Sequence, residues 1–419
     1  MQSLIGDAQT IIKRTIEENM PEVSVKNVLR KHKISQEGDV YVAAIGKAAW
    51  TMANAAYCTL GTRIKRGIVI TKYNHSKGEI PNMEIIEAGH PLSDENTIIG
   101  TQKVIDMVKD LKARDEILFF VSGGGSSLFE KPLEGVTLDD IVNINNQLLA
   151  CGADIVEINM IRKRLSSVKA GRFAQICAPA KVFTIILSDV LGDRLDSIAS
   201  GPTVPDMTTS LDAMNVVRKY NLDVSDKIKK YLSEETPKNI DNAETVIMQS
   251  VRTLCQSAAE IAESFGYTPL ILTDELSGQA RQAGSFMAQI ARQVGKGKYS
   301  IKRPCIIILG GETVVCVKGK GKGKGGRNQE IALAAAEGIE GMENVVIFSL
   351  GSDGTDGPTD AAGGIVDGMT AEKLRQKKIK ISEVLDDNDS YTALKKINSL
   401  IVTGPTGTNV NDISVILVG

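Results

Sequence analysis

Histidine is scarce in this chain, with three residues in 419. The six cysteines, Cys58, Cys151, Cys177, Cys255, Cys305 and Cys316, lie far apart and form no C-x-x-C pair. Those two shortages argue against a zinc site and against a disulfide framework. The thiols are expected to be buried or incidental, in a reducing compartment. An excess of either charge is also missing: the formal net charge is −2. That leaves no broad electrostatic surface for nucleic acid or anionic lipid. No apolar run is long enough for a bilayer span. The opening stretch, MQSLIGDAQTIIKRTIEENM, mixes both charge signs with apolar residues at helical spacing, unlike the apolar core of a signal peptide. A cytoplasmic protein is expected.

What the chain does have is enough apolar sequence for more than one core. Hydrophobic residues make up 42% of it and charged residues 24%, a globular balance, and the length points to two α/β domains. Short apolar runs repeatedly precede a turn and then a helix-period segment: DVYVAAI (39–45), GIVI (67–70), EIIEA (84–88), EILFFV (116–121) and KVFTIIL (181–187). This alternation predicts parallel strands buried under helices on both faces. A cluster of Pro, Asn and Asp at 236–244 marks the expected boundary, giving domains 1–236 and 237–419. The second half repeats the theme with TVIM, YTPLIL, CIIIL, NVVIFSL and LIVT, and ends on a strand, DISVILVG.

In open parallel sheets ligands bind beyond the carboxyl ends of the strands, so the residues after each apolar run are the informative ones. AAIGKAAW (43–50) puts Lys47 behind a glycine at a strand-to-helix turn. FFVSGGGSSLF (119–129) follows a strand with Ser122, Gly123, Gly124, Gly125, Ser126 and Ser127. Backbone without side chains can wrap an oxyanion there, with hydroxyls and amides donating to it. It is neither a G-x-x-x-x-G-K-[ST] loop nor a G-x-G-x-x-G fingerprint. In MIRKRLSSVKAGRFA (160–174), Lys169 and Arg172 flank a tight step and are the better placed cations, the others reading partly as a solvated helix face. Asp189, directly after KVFTIIL, has two readings: a metal-ligating or proton-accepting carboxylate, or a helix N-cap.

The second half offers Gly310, Gly311 and Glu312 after a strand, suited to ribose hydroxyls or a metal. A glycine-rich basic loop, KGKGKGKGGR (318–327), leads into a helix beginning near Asn328. Arg327 is expected at the positive end of that helix, where a phosphate is favoured. Asp353, Asp356 and Asp360 crowd a further glycine-rich loop at a spacing that does not match an EF-hand. Mg²⁺ prefers one or two carboxylates with phosphate oxygens and water, so Asp353 is a candidate ligand. Thr408 lies in one more polar glycine turn. Glycine turns carrying Lys, Arg, Ser and Asp behind buried strands form the inventory of an ATP-and-metal phosphotransferase.

The motifs AAIGKAAW, EAGHP, FFVSGGGSSL, VKAGR, LSDVLGD, IASGPTVPD, LGGETVV, GGRNQE and GSDGTDGPTDAAG occur in that order. In this the chain closely resembles the class II, MOFRL-containing glycerate kinases, from about residue 5 to residue 415. The resemblance implies a Rossmann-like N-terminal domain, a smaller α/β C-terminal domain with the MOFRL region, and an active site in the cleft between them. It implies transfer of the γ-phosphate of ATP to the 2-hydroxyl of D-glycerate with Mg²⁺, by a monomer or homodimer. On that similarity Lys47, Arg327 and Asp189 are the catalytic candidates, and Ser122–Ser127 with Lys169 and Arg172 hold substrate or phosphate. Gly310, Gly311, Glu312 and Thr408 meet the nucleotide, and Asp189 and Asp353 the metal. The alternatives are a hydroxypyruvate reductase, disfavoured by the missing dinucleotide fingerprint, and a non-catalytic sugar-acid binding protein.

Overall fold

The structure is a computed structural model that describes residues 4–297, 301–317 and 323–419. Residues 318–322, half of the basic loop singled out above, lie outside them. The chain divides into two compact units, one formed by Pro21–Met248 and the other by residues up to Met20 together with Gln249–Gly419. This differs from a division at 236/237 in two ways. The helix Leu4–Glu18 buries Ala8, Ile11, Ile12 and Ile16 in the second unit, where Asp7 accepts a hydrogen bond from the Tyr267 hydroxyl at 2.8 Å. Residues 243–248 lie in a strand that joins the first sheet. Local composition marks a polar turn, but partner choice in space decides where a unit ends.

The first unit is built on strands β1 (Val40–Ile45), β2 (Ile64–Lys72), β3 (Met83–Ala88), β4 (Glu116–Val121), β5 (Lys181–Leu187) and β6 (Ala243–Gln249). Their order is β3-β2-β1-β4-β5-β6, and β1 through β5 pair in parallel. All six residues of β1 and of β4 are buried, which is why these strands read as unbroken apolar runs. Chain order reverses between β1 and β4, so a crevice is expected beyond Ile45 and Val121.

Phe119 of β4 packs its ring, tilted, 4.7 Å from that of Phe173 and 5.7 Å from that of Phe129, so the segment after β4 is anchored at both ends. Truncating such a core aromatic to alanine costs about 3–5 kcal/mol. A separate apolar cluster, including Ile144, Leu148, Ile161, Val216 and Leu232, joins four helices beside the sheet. One of them, Ile155–Leu165, starts at a capping box in which Asp154 and Glu157 bond each other's backbone amides.

The second unit carries β7 (Thr268–Leu276), β8 (Cys305–Gly311), β9 (Val345–Gly351), β10 (Gly363–Asp367), β11 (Leu400–Ile401) and β12 (Asp412–Val418). Their order is β11-β10-β9-β12-β8-β7. Here the expectation of a repeated parallel pattern fails. Among the described strands of this sheet only β7 and β8 pair in parallel; β12 runs antiparallel to both β8 and β9, and β10 antiparallel to β9 and β11. A strand covered on both faces is apolar whichever way it runs, so the pattern carries no direction. Helices Ala280–Gly295 and Arg327–Gly338 pack against each other and supply much of this core. No described helix is long and apolar enough to cross a membrane.

Candidate active site

At the switch point, Gly46 ends β1 with φ +111°. A Cβ there would fall 2.3 Å from Ser122 Oγ, so only glycine lets the two strand exits lie side by side. Ser122 Oγ accepts the Ala48 amide proton at 3.0 Å and donates to the Ile45 carbonyl at 3.2 Å. The Lys47 amide donates to the Gly123 carbonyl at 2.9 Å. Ser122 thus braces the two turns from the wall of the cavity that the loop faces.

The glycine loop faces a cavity of about 370 Å³. A Cβ on Gly123 would lie 2.3 Å from Asp189 Oδ2. A Cβ on Gly124, in the left-handed region at φ +84°, would lie 2.9 Å from His90 Nε2 and 3.5 Å from Lys47 Cε. Three chemically active side chains from the ends of β1, β3 and β5 therefore crowd one stretch of bare backbone. Ser126 Oγ lies 3.3 Å from Ser200 Oγ, which donates to Asn159 Oδ1 at 3.2 Å. Ser127 is buried and donates to the Gly124 carbonyl. Ala199 and Ser200 hold φ +49° and +61° at the cavity edge, strain of a kind that concentrates at working sites.

Two expected anion binders are turned inward instead. Lys169 is fully buried; its Nζ donates to the carbonyls of Ser126 and Phe129 and lies 2.9 Å from Glu130 Oε2. Arg172 donates to the carbonyls of Lys163 and Ser166, capping the helix Ile155–Leu165. Lys169 supports the loop from behind and Arg172 the end of the helix, because a buried cation needs partners within reach. Lys163 and Arg164 are not a solvated face either: both are buried against Asp206.

Burial, with the positive charges of Lys47 and Lys72, lowers the pKa of His90 below its ordinary 6.5. Its imidazole is consequently neutral at neutral pH and can accept a proton or a hydrogen bond.

A second cavity, about 590 Å³, lies in the other unit, with Arg327, Asp353, Asp356 and Ser390 among its walls. Arg327 does begin the helix Arg327–Gly338, yet its guanidinium is engaged. Nε and Nη2 donate to the Asp412 carboxylate at 2.5 and 3.0 Å, and Nη1 to Glu312 at 2.5 Å. The position expected for a phosphate at this helix start is filled by Asp356, which accepts from the amides of Asn328 and Gln329 at 3.1 and 2.8 Å. Burial raises Asp356 to about 6, and raises Asp412 to about 6 against the pull of Arg327. Burial alone would lower Arg327, but its bond to Asp412 and the nearby acidic charges raise it, so the guanidinium stays charged.

Gly310 and Gly311 are the last two residues of β8 rather than a loop beyond it. Added Cβ atoms would meet Cys255 Sγ at 2.5 Å and the Leu276 backbone at 2.2 Å respectively, so packing requires these glycines. Glu312 accepts a hydrogen bond from Arg327 and so helps to hold it. Thr408 is buried, and its hydroxyl has no partner among the described residues. The six cysteines are free, and Cys58, Cys151 and Cys316 are exposed.

Among the described residues no group of three or more His, Cys, Asp or Glu side chains forms a metal cage. Asp353, on the wall of the second cavity, accepts from the Thr355 amide at 2.9 Å. Asp189 stands against the glycine loop. Single carboxylates of this kind fit Mg²⁺ carried on phosphate oxygens, which needs no all-protein cage.

Residues 7–233 match a domain of unknown function, DUF4147, and residues 305–412 match the MOFRL family. The D-glycerate 2-kinase of Thermotoga maritima is 50% identical over all of this chain and 99% of its own length. A solved glycerate kinase structure from the same organism superimposes with a TM-score of 0.94, covering 99% of each chain. The glycerate 2-kinase of Pyrococcus horikoshii is 40% identical over 94% of this chain and 90% of its own. The chain belongs to the MOFRL-type glycerate 2-kinase family.

Within this member of the glycerate 2-kinase family, Lys47, Asp189 and the Gly123–Ser127 loop converge in one unit, whereas Arg327 and Asp353 line a cavity of the other. The residues that site analysis of the sequence overlooked are His90, Asn159 and Arg162. His90 was legible: EAGHP follows an apolar run at a strand's carboxyl end, the rule that found Lys47 and Asp189. Asn159 and Arg162 arrive from a helix with its own core, and no strand-end rule reaches them.

Proposed function

We propose that this chain is an ATP- and Mg²⁺-dependent glycerate 2-kinase that transfers the γ-phosphate of ATP to the 2-hydroxyl of D-glycerate in the cytoplasm. One observation carries the reading: Lys47, His90 and Asp189 meet at the glycine loop of the β1/β4 switch point, in a chain half identical to a D-glycerate 2-kinase. The cavity of about 370 Å³ suits a three-carbon acid better than a nucleoside triphosphate.

Phosphoryl transfer asks a protein mainly for positioning and charge neutralisation. In this reading the hydroxy acid lies over Gly123 and Gly124, with its 2-hydroxyl toward Asp189, which takes the hydroxyl proton as the oxygen attacks phosphorus in line. Lys47 offsets charge on the transferring group, and the neutral His90 beside it accepts a hydrogen bond from a substrate hydroxyl. Arg327, already charged and held by Asp412 and Glu312, serves the nucleotide's phosphates. Asp353 is the residue of that unit suited to Mg²⁺, which when bound neutralises phosphate oxygens.

The test is product identification by ³¹P NMR after incubation with D-glycerate and MgATP. A phosphomonoester on the 2-oxygen with matching ADP is expected. Absence of transfer, or steady NADH oxidation with hydroxypyruvate, overturns the reading.

A further inference from the structure

Arg162 is the one basic side chain on the helix Ile155–Leu165 without an ion pair of its own among the described residues. On the next two positions Lys163 and Arg164 reach Asp206. Arg162 points to the glycine-loop cavity instead, one helical turn from Asn159 on the same face. A guanidinium has five N–H donors. Among the described residues, the only hydrogen bond of Arg162 runs from Nη2 to the Ser126 carbonyl at 3.2 Å. Its Nε is buried and unpartnered.

The local charge count is unbalanced. Glu130 is the nearby buried carboxylate, and Lys169 already lies 2.9 Å from it. The half-buried Arg162 and the fully buried Lys169 thus share one anion, and the two repel. Burial accordingly presses the Arg162 pKa below its ordinary value, with Glu130 only partly opposing. Folding leaves this half-buried guanidinium short of one negative charge and several protein acceptors, and charge drawn out of water is costly until paired.

We infer that Arg162 binds the carboxylate of the hydroxy-acid substrate, and so selects acids over neutral alcohols at this site. The inference rests on the functional reading above and adds the residue that reads the acid group. The planar fork of a guanidinium matches the two oxygens of a carboxylate. Its place beside Ser126, while Asp189 and His90 lie over Gly123 and Gly124, puts the acid group at one end of the loop and the reacting hydroxyl at the other. Arg162 is here a binding and specificity residue with no part in proton transfer.

The experiment compares wild type, Arg162→Gln and Arg162→Lys with D-glycerate at saturating MgATP. Each enzyme is then inhibited with D-lactate, which keeps the carboxylate, and with the neutral amide of D-glycerate. For Arg162→Gln the KM for glycerate rises about 10²-fold, the KM for ATP is unchanged, and the advantage of lactate over the amide collapses. Arg162→Lys keeps the charge without the fork, and its KM rises about tenfold. It carries the test if the glutamine variant does not fold. An unchanged glycerate KM, or a fall in kcat alone with the lactate-to-amide ratio intact, overturns the inference; the second result points to the phosphoryl group as the partner. Wild type that does not phosphorylate glycerate defeats the functional reading instead, so the two failures are distinct.

Discussion

Asp189 and Gly123 are in such close approach that a single methyl group on the glycine would fall 2.3 Å from the carboxylate oxygen. The glycine is therefore a condition for the acid's position, and the pair can be tested as a unit. Gly123→Ala should push Asp189 off the loop and lower kcat about 10²-fold, as misplacement by an ångström does elsewhere. Thermal unfolding should change little, since the displaced side chain is only partly buried. Steady-state kinetics beside a melting curve would separate the two effects.

Lys169 and Glu130 form a pair of a different kind, buried beneath the loop. Lys169→Met should destabilise the chain by about 3–5 kcal/mol, because it strands a buried carboxylate. The double variant Lys169→Met with Glu130→Leu should recover much of that loss. Urea unfolding of the two variants and wild type checks it. A larger effect on glycerate KM than on stability would return Lys169 to the ligand.

His90 supplies a pH signature. Its folded pKa lies below the ordinary 6.5, through burial and the charges of Lys47 and Lys72. The unfolded chain then binds the proton more readily than the fold. The stability from the neutral imidazole is present above the unfolded value and lost as pH falls through the folded one. Turnover should hold across neutral pH and drop in the same acidic range. NMR titration of the His90 ring protons gives the midpoint directly, and a midpoint above 6.5 contradicts the account.

Asp356 has the opposite sign. Its carboxyl holds a proton to about 6 in the fold, against an ordinary 3.8, so ionising it weakens the fold as pH rises between those values. Asp356→Asn removes that slope. The variant should gain on wild type by about 2–3 kcal/mol from pH 4 to pH 7, whatever fixed loss follows from weakening the helix cap. Denaturant curves at both pH values measure the difference.

Arg327 tests the nucleotide side. Arg327→Ala should cost on the order of 10³-fold in kcat, as with other phosphoryl-transfer arginines. Unaltered turnover would confine its role to the Asp412 and Glu312 contacts.

How far the amino-acid sequence could be read is clear from individual residues. The buried strands, the switch-point glycine loop and the placing of Lys47 and Asp189 followed from apolar runs ending in polar turns. Strand direction in the second sheet did not, because burial on both faces hides it. Lys169 and Arg172 looked like anion binders because the sequence shows their charge but not the backbone carbonyls waiting for it. Asp356 reads from the sequence only as one of three aspartates in a glycine-rich loop, and its approach across space is what puts it on the amides of Asn328 and Gln329.

The most direct measurement is a crystal structure of the chain with D-glycerate bound. The acid should lie on the Gly123–Ser127 loop, its carboxylate on Arg162 and its 2-hydroxyl toward Asp189. Glycerate seated beside Arg327 in the other unit, with the glycine-loop cavity empty, would contradict the account.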